Sequence, residues 1–244
     1  MKKALVILTL LVIFLALFLV FKPRKLNQET AIQLQESNQS KKEAKTLVIP
    51  EKYLIEVPFT SQSPFATWDA DENAACEEAS LIMAWHWLEG DILGKINPTQ
   101  AEEEIRKLIA FENEKYGNSF DTSAKDTVQT FKDYYKNTDI VLKYDFGITE
   151  IVEEVSKGNI VIVPADGIAL HNPNFKQPGP ETHMLVIKGY DQAKKEFITN
   201  DPGTRNGQGY VYTYDVLFKA IRDYPTGNHE VITGIRKAML VVSK

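Results

Sequence analysis

Asp71-Glu72-Asn73-Ala74-Ala75-Cys76-Glu77-Glu78-Ala79-Ser80 decides how this chain is read, because it holds the only cysteine in 244 residues. It reads as the start of a helix. Asn73 is a favoured N-cap residue, and Ala74, Ala75, Ala79, Leu81, Met83 and Ala84 are strong helix formers. Cys76 then falls in the first turn, where the partial positive charge of a helix N-terminus favours the thiolate. Leu81, Ile82, Trp85 and Leu88 give the helix an apolar face, and Gly90 stops it. The expectation is a central helix packed on a sheet, with a thiol at its leading end.

One cysteine excludes an internal disulfide and a multi-cysteine zinc centre. A phosphate-binding glycine loop, a dinucleotide fingerprint and a metal-ligand cluster are also missing from the sequence, so no cofactor and no metal are expected.

Upstream, the chain opens Met1-Lys2-Lys3 and then runs uncharged from Ala4 to Phe21, with Thr9 the one polar residue. Such a run is long enough to cross a bilayer, near the lower limit of roughly 17–25 residues. No small-x-small cleavage site follows it, so residues 1–25 are expected to be an uncleaved membrane anchor, with a cleaved signal peptide as the alternative. Lysines and arginines flank both ends, and the positive-inside rule does not fix the orientation. The remainder is expected outside the cytoplasm, on a single-pass anchor in the cell membrane, or secreted if the segment is cleaved. Residues 26–50 are rich in Gln, Glu, Lys, Ser and Asn and read as a polar tether. Beyond residue 25 there are 33 acidic against 23 basic residues. A domain this acidic is not expected to bind nucleic acid, and it mildly favours a neutral or basic peptide partner.

Residues 51–244 suffice for one domain. Tyr53–Val57 reads as a strand, followed by the polar loop Phe59–Pro64. Asn97-Pro98-Thr99-Gln100 opens a second helix that ends near Gly117, and a third runs from Thr122 or Ser123 to about Tyr135. A strand over 139–144, a helix over 148–156 and a strand over 159–164 follow. Residues 166–182 form a long loop rich in Gly, Pro and Asn, of a length that more often serves function than connection. Strands at 183–190, 195–200 and 209–213, a helix near 214–222 and a last strand near 238–242 complete the chain. Helices first and an antiparallel-looking sheet later is the α+β pattern.

A thiol nucleophile needs an imidazole, a group to orient it and donors for an oxyanion. His86 lies ten residues along the same helix, roughly 15 Å away, and cannot reach Cys76 within it. His171 lies in the long loop and His229 in an exposed turn. His183 opens an apolar run, Met184–Tyr190, so a sheet would hold it rather than a mobile loop; a hydrogen-bonded structural histidine is the alternative. Strands 183–190 and 195–200 should pair antiparallel, which brings Asn200 or Asp201 beside His183. Neighbouring residues face opposite ways, so one of the two meets the imidazole, with Asp201 preferred over Asn200. Gln62 is the candidate side-chain oxyanion donor beside the backbone N–H of Cys76. Phe65, Trp68, Phe175 and Tyr210 could wall a cleft or simply pack, and the substrate-binding residues are unknown.

The ordered set Val57-Pro58-Phe59-Thr60-Ser61-Gln62, Ala75-Cys76-Glu77-Glu78-Ala79-Ser80, Gly179-Pro180-Glu181-Thr182-His183-Met184-Leu185-Val186 and Thr199-Asn200-Asp201-Pro202-Gly203 resembles the papain-like cysteine peptidases. Within them it is similar to the bacteriocin-processing, double-glycine type, family thirty-nine of the cysteine peptidases, and its single-domain relatives. The resemblance implies a papain-like α+β fold, with Cys76 as nucleophile, His183 as general base and acid, Asp201 as orienter and Gln62 in the oxyanion hole. It implies a peptide or protein substrate. Two features depart from the best-known members: Glu77-Glu78 stand where Gly follows the cysteine, and the gap from Gln62 to Cys76 is 14 residues. Carboxylates beside the thiol disfavour the thiolate. Three functions fit: a membrane-tethered cysteine peptidase or amide hydrolase, a catalytically silent binding domain, and an acyltransferase or crosslinking enzyme using the same triad.

Overall fold

Residue Cys76 does begin the central helix, but by a different route from the one the sequence suggests. In the computed structural model, which describes residues 49–91, 94–227, 234 and 236–244, a short helix α1 (Ala70–Asn73) precedes α2 (Cys76–Leu88). Asp69 caps α1: its side chain accepts from the Glu72 N–H while the Glu72 carboxylate reaches back to the Asp69 N–H. Asn73 is therefore the last residue of α1 and not an N-cap, and Ala75 precedes α2 with no side-chain cap. The correction has a simple cause. The Asp-x-x-Glu box at 69–72 satisfies two backbone donors at once, whereas a lone Asn73 offers one acceptor.

The central helix is buried nearly all round, since Cys76 through Ala84 are all inaccessible. The expected single apolar face understates it. Helix α3 (Pro98–Tyr116) and helix α4 (Ala124–Tyr135) pack against it, and each starts where its sequence says. The Asn97 side chain accepts from Thr99 and Gln100 N–H groups, and the Ser123 hydroxyl accepts from the Asp126 N–H. Helices α5 (Ile148–Ser156) and α6 (Tyr214–Ala220) complete the helical set among the described residues.

Seven strands form one sheet: β1 (Lys52–Leu54), β2 (Ile140–Tyr144), β3 (Ile160–Ala165), β4 (His183–Asp191), β5 (Glu196–Asn200), β6 (Gln208–Thr213) and β7 (Ala238–Val242). Their order is β2-β7-β3-β4-β5-β6, every pairing is antiparallel, and β1 adds to β4 beyond the end of β3. Strands β3, β4 and β7 are buried at every position. Since alternate residues face opposite ways, both faces of the sheet centre are covered. Helices α2 and α5 both pack on β4. The α+β architecture with an antiparallel sheet thus matches the sequence reading.

The expected membrane span, nearly all of the tether and His229 lie outside the described residues. Among the described residues no helix is long and apolar enough to cross a membrane.

Candidate active site

The site forms where the first residue of β4 meets the residue after β5. Pairing between these strands runs from Asp191↔Glu196 to Val186↔Asn200, with a bulge between Ile187 and Gly189. The chain then leaves the ladder, and Asp201 lies across from His183. His183 Nε2 sits 2.8 Å from Asp201 Oδ1, with the two side chains 1% and 0% exposed. Asn200 faces the other way. Its amide donates to the carbonyls of Val57 and Pro58 at 3.1 and 3.2 Å, and its oxygen accepts from the Gly209 N–H. The two neighbours therefore divide the work: Asp201 holds the imidazole, and Asn200 holds the base of the loop that carries Gln62.

Asp201 is surrounded by donors. Oδ1 also accepts from the Gly203 N–H at 3.0 Å, and Oδ2 accepts from Tyr212 Oη at 2.6 Å and Asn172 Nδ2 at 3.3 Å. Burial alone would raise its pKa, but the His183 imidazole and these hydrogen bonds outweigh it and hold the carboxyl below its ordinary value. An ionised carboxylate only accepts, so the imidazole nitrogen facing it, Nε2, carries a proton. That leaves Nδ1 as the nitrogen with a free lone pair whenever the ring is neutral. The edge of Phe175, itself buried, packs against the imidazole with ring centres 5.3 Å apart.

Cys76 lies near the same end of β4. One turn along α2, the Ser80 hydroxyl donates to the Met184 carbonyl at 3.4 Å, which registers the helix against the strand. The thiol is buried and donates to Glu77 Oε2 at 2.9 Å. Glu77 Oε1 in turn accepts from Tyr224 Oη at 2.6 Å, and Tyr224 also reaches the His183 carbonyl at 3.4 Å. Burial, first, and then the Glu77 carboxylate push the Cys76 thiol well above its ordinary range. The expectation that the helix N-terminus favours a thiolate is thus reversed: the helix-end charge acts on a desolvated thiol whose nearest neighbour is an acid. Glu77 is itself pushed up to about 7, chiefly by burial. One residue on, burial first and then the neighbouring Glu112 raise Glu78 well above its ordinary value, and neither Glu78 carboxyl oxygen has a hydrogen-bond partner among the described residues; the Thr130 hydroxyl donates to Glu112 at 2.8 Å.

Gln62 is buried close by, but its amide is engaged. Nε2 donates to the carbonyls of Glu72 and Asn73 at 2.8 and 3.2 Å, while Oε1 has no hydrogen-bond partner. The backbone around it is tied to the Asp201 turn: Gln62 N–H and the Ser61 hydroxyl both donate to the Pro202 carbonyl, at 3.0 and 3.1 Å. Its side chain thus braces the end of α1, and in this geometry its two N–H groups point at carbonyls. The N–H of Cys76, in the first turn of α2, has no partner within that helix by geometry.

In a comparison with known families, residues 54–228 match the model of the Peptidase_C39 like family. The chain belongs to that family. Among solved structures, one described as a C39-like peptidase from Bacillus anthracis matches at 19% identity and a TM-score of 0.46, covering 80% of this chain and 99% of its own. No curated protein matches.

Of the other histidines, His86 is clasped between Glu104 (Nε2, 2.9 Å) and Asp91 (Nδ1, 3.1 Å) on the far part of α2, and His171 lies in the loop before β4. The aromatic residues split. Phe65 and Trp68 are 58% and 39% exposed, Phe175 is buried against His183, and Tyr210 packs against Tyr212 with the two rings tilted by 59°. A groove of about 370 Å³ is lined by Asn73, Ala74, Asn118, Phe120 and Asp121 among others, immediately before Cys76 in the chain. Sequence reasoning missed Asn172, Tyr212 and Tyr224, which hold Asp201 and Glu77. The 166–182 loop signalled its importance by length and composition. Nothing in the sequence singled out Tyr224.

Proposed function

We propose that this C39-like chain is a cysteine peptidase that cleaves a peptide or amide bond through Cys76, His183 and Asp201. The observation that carries the reading is the buried 2.8 Å hydrogen bond between His183 Nε2 and Asp201, at the end of the strand on which the helix begun by the only cysteine packs. With Nε2 protonated, Nδ1 accepts the proton from Cys76 Sγ as sulfur attacks the substrate carbonyl. The oxyanion that forms is met by the Cys76 N–H, and by Gln62 once its Nε2 gives up a carbonyl of α1. The tetrahedral centre collapses, the C–N bond breaks, and His183 returns the proton to the leaving amine. Water then attacks the thioester while Nδ1 takes its proton, and the acid and free thiol are released. The uncharged run from Ala4 to Phe21 supports placing this activity on a membrane tether, outside the cytoplasm.

A second reading, a catalytically silent peptide-binding domain, is favoured by one observation: the Cys76 thiol donates to Glu77. The two are separated by incubating the full chain with a mixed peptide pool and reading new termini by mass spectrometry beside Cys76→Ala. The peptidase reading expects new termini that vanish in the variant. Peptides that bind equally to both proteins and stay intact would replace it with the binding reading.

A further inference from the structure

Three buried carboxyl groups crowd the start of α2, at Glu77, Glu78 and, from α3, Glu112. The triad chemistry uses none of them. Glu77 is the one that touches the nucleophile, and it does so with both oxygens occupied: Oε2 accepts the Cys76 S–H at 2.9 Å and Oε1 accepts the Tyr224 O–H at 2.6 Å. Cys76, Glu77 and Tyr224 are 4%, 1% and 3% exposed, so water does not compete for these bonds.

We propose that Glu77, held in place by Tyr224, is a positioning residue that latches the Cys76 thiol in its neutral form and keeps its proton from His183 until the latch is released. The inference rests on the Cys76–His183 reading. Its physical basis is the donor–acceptor inventory. The thiol has one hydrogen, and while that hydrogen points at Glu77 it is not available to Nδ1 of His183. A carboxylate 2.9 Å from sulfur also opposes a thiolate directly, since two anions would share one dry site. Release therefore requires that Glu77 lose its charge or turn away. When it does, the S–H proton passes to Nδ1 and leaves a thiolate–imidazolium pair, with no other reactant needed.

The groups facing Glu77 come from every element packed around it. Cys76 and Glu78 lie on α2, Asp121 on the α3–α4 connection and Tyr224 on the segment after α6, where its hydroxyl also reaches the backbone carbonyl of His183 at the head of β4. A substrate bound near Cys76 and Glu77, carrying a positive or proton-donating group, would compete with the thiol for the carboxylate. That is one way the latch could be coupled to occupancy.

The test follows the thiol state, which the single cysteine makes readable. The full chain, Glu77→Gln, His183→Ala and the double variant are compared by the pH profile of iodoacetamide alkylation. Infrared spectra of the wild type and Glu77→Gln at pH 7 follow the S–H stretching band, and thermal unfolding of each protein confirms the fold. The latch predicts an S–H band in the wild type that weakens in Glu77→Gln. It predicts alkylation in Glu77→Gln at least about tenfold faster at pH 7, with the profile moved to lower pH, and loss of that gain in the double variant. No S–H band in the folded wild type would overturn the latch without any variant being needed. So would a Glu77→Gln profile that coincides with wild type or moves upward while His183→Ala still slows Cys76; that result leaves the Cys–His pair standing. A gain in Glu77→Gln that survives His183→Ala would keep the latch on the thiol and remove His183 as its base, overturning the peptidase reading instead.

Discussion

His183 and Asp201 sit among groups that favour charge, whereas Cys76 and Glu77, at the same end of β4, sit among groups that oppose it. Four donors converge on Asp201 and hold it ionised. At Cys76 the neighbours are acids and a phenol, and both the thiol and Glu77 are pushed towards their protonated forms. On the proposed peptidase reading, the base side is assembled in advance and the nucleophile side is held in reserve: the fold fixes the imidazole by strand register, and leaves the thiol to a local hydrogen bond that can exchange.

The contrast predicts its largest effect on the base side. His183→Ala removes the proposed general base, and kcat/KM on any peptide substrate should fall by roughly 10³-fold or more. Asp201→Asn should also lose most activity, because an amide in that place no longer dictates which nitrogen is protonated. It should destabilise as well, since the Tyr212 and Asn172 donors lose a charged partner.

Two glycines test how rigid that side is. An added Cβ at Gly203 would lie 2.8 Å from the His183 ring and 2.9 Å from Phe175, both side chains. At Gly207 it would lie 1.8 Å from the Asp201 carbonyl, which is backbone. Gly203→Ala should therefore lower kcat far more than it lowers the unfolding midpoint. Gly207→Ala should cost several kcal/mol of stability, as overpacking against fixed backbone does at about 1–3 kcal/mol or more. Equal effects of the two on urea unfolding would blur the contrast between a shaped pocket and a structural turn.

On the nucleophile side the expected effect is a pH dependence. Glu78 is raised by burial and by Glu112, so the folded chain holds protons that the unfolded chain releases above about pH 4.3. Stability then falls as pH rises from that value towards the folded pKa. Glu78→Gln keeps the size of the side chain and removes its titrating proton, and its denaturant midpoint should fall less steeply between pH 5 and 8 than that of the wild type. Asp201 has the opposite sign, with its contribution present above the ordinary carboxylate pKa and lost as pH falls through its depressed one.

The smallest effect belongs to a site away from both. Hydrogen bonding to Glu104, then to Asp91, raises the His86 pKa. The stability this contributes is full below the unfolded value of about 6.5 and lost as pH rises through the folded one. Because the ion pairs are partly solvated, Glu104→Gln should cost under about 1 kcal/mol at pH 6 and less at pH 9, measured by urea unfolding.

Much of the architecture was legible because it rests on local rules. Asn97-Pro98, Ser123, Gly117 and the apolar runs of β3 and β4 announce their elements, and alternation along β5 left only Asn200 or Asp201 to face His183. The start of α2 was harder. A capping box at Asp69 and Glu72 takes the helix start that Asn73 advertises, because it satisfies two backbone donors at once, and Glu72 is buried besides. For the thiol, the sequence offers two opposed signals, the helix end and the adjacent Glu77-Glu78; burial and Tyr224, 148 residues further along the chain, lie beyond both. Contacts such as Asn172 and Tyr212 on Asp201 depend on where a loop lands, which periodicity does not encode.

The most direct measurement is intact-mass analysis of the full chain after brief exposure to an activated peptidyl ester, with His183→Ala and Cys76→Ala alongside. The account predicts one acyl group on the wild type, localised to Cys76, that is released with time, forms far more slowly in His183→Ala and is absent from Cys76→Ala. A wild-type chain that stays unmodified while folded, or that acylates equally with and without His183, would contradict it.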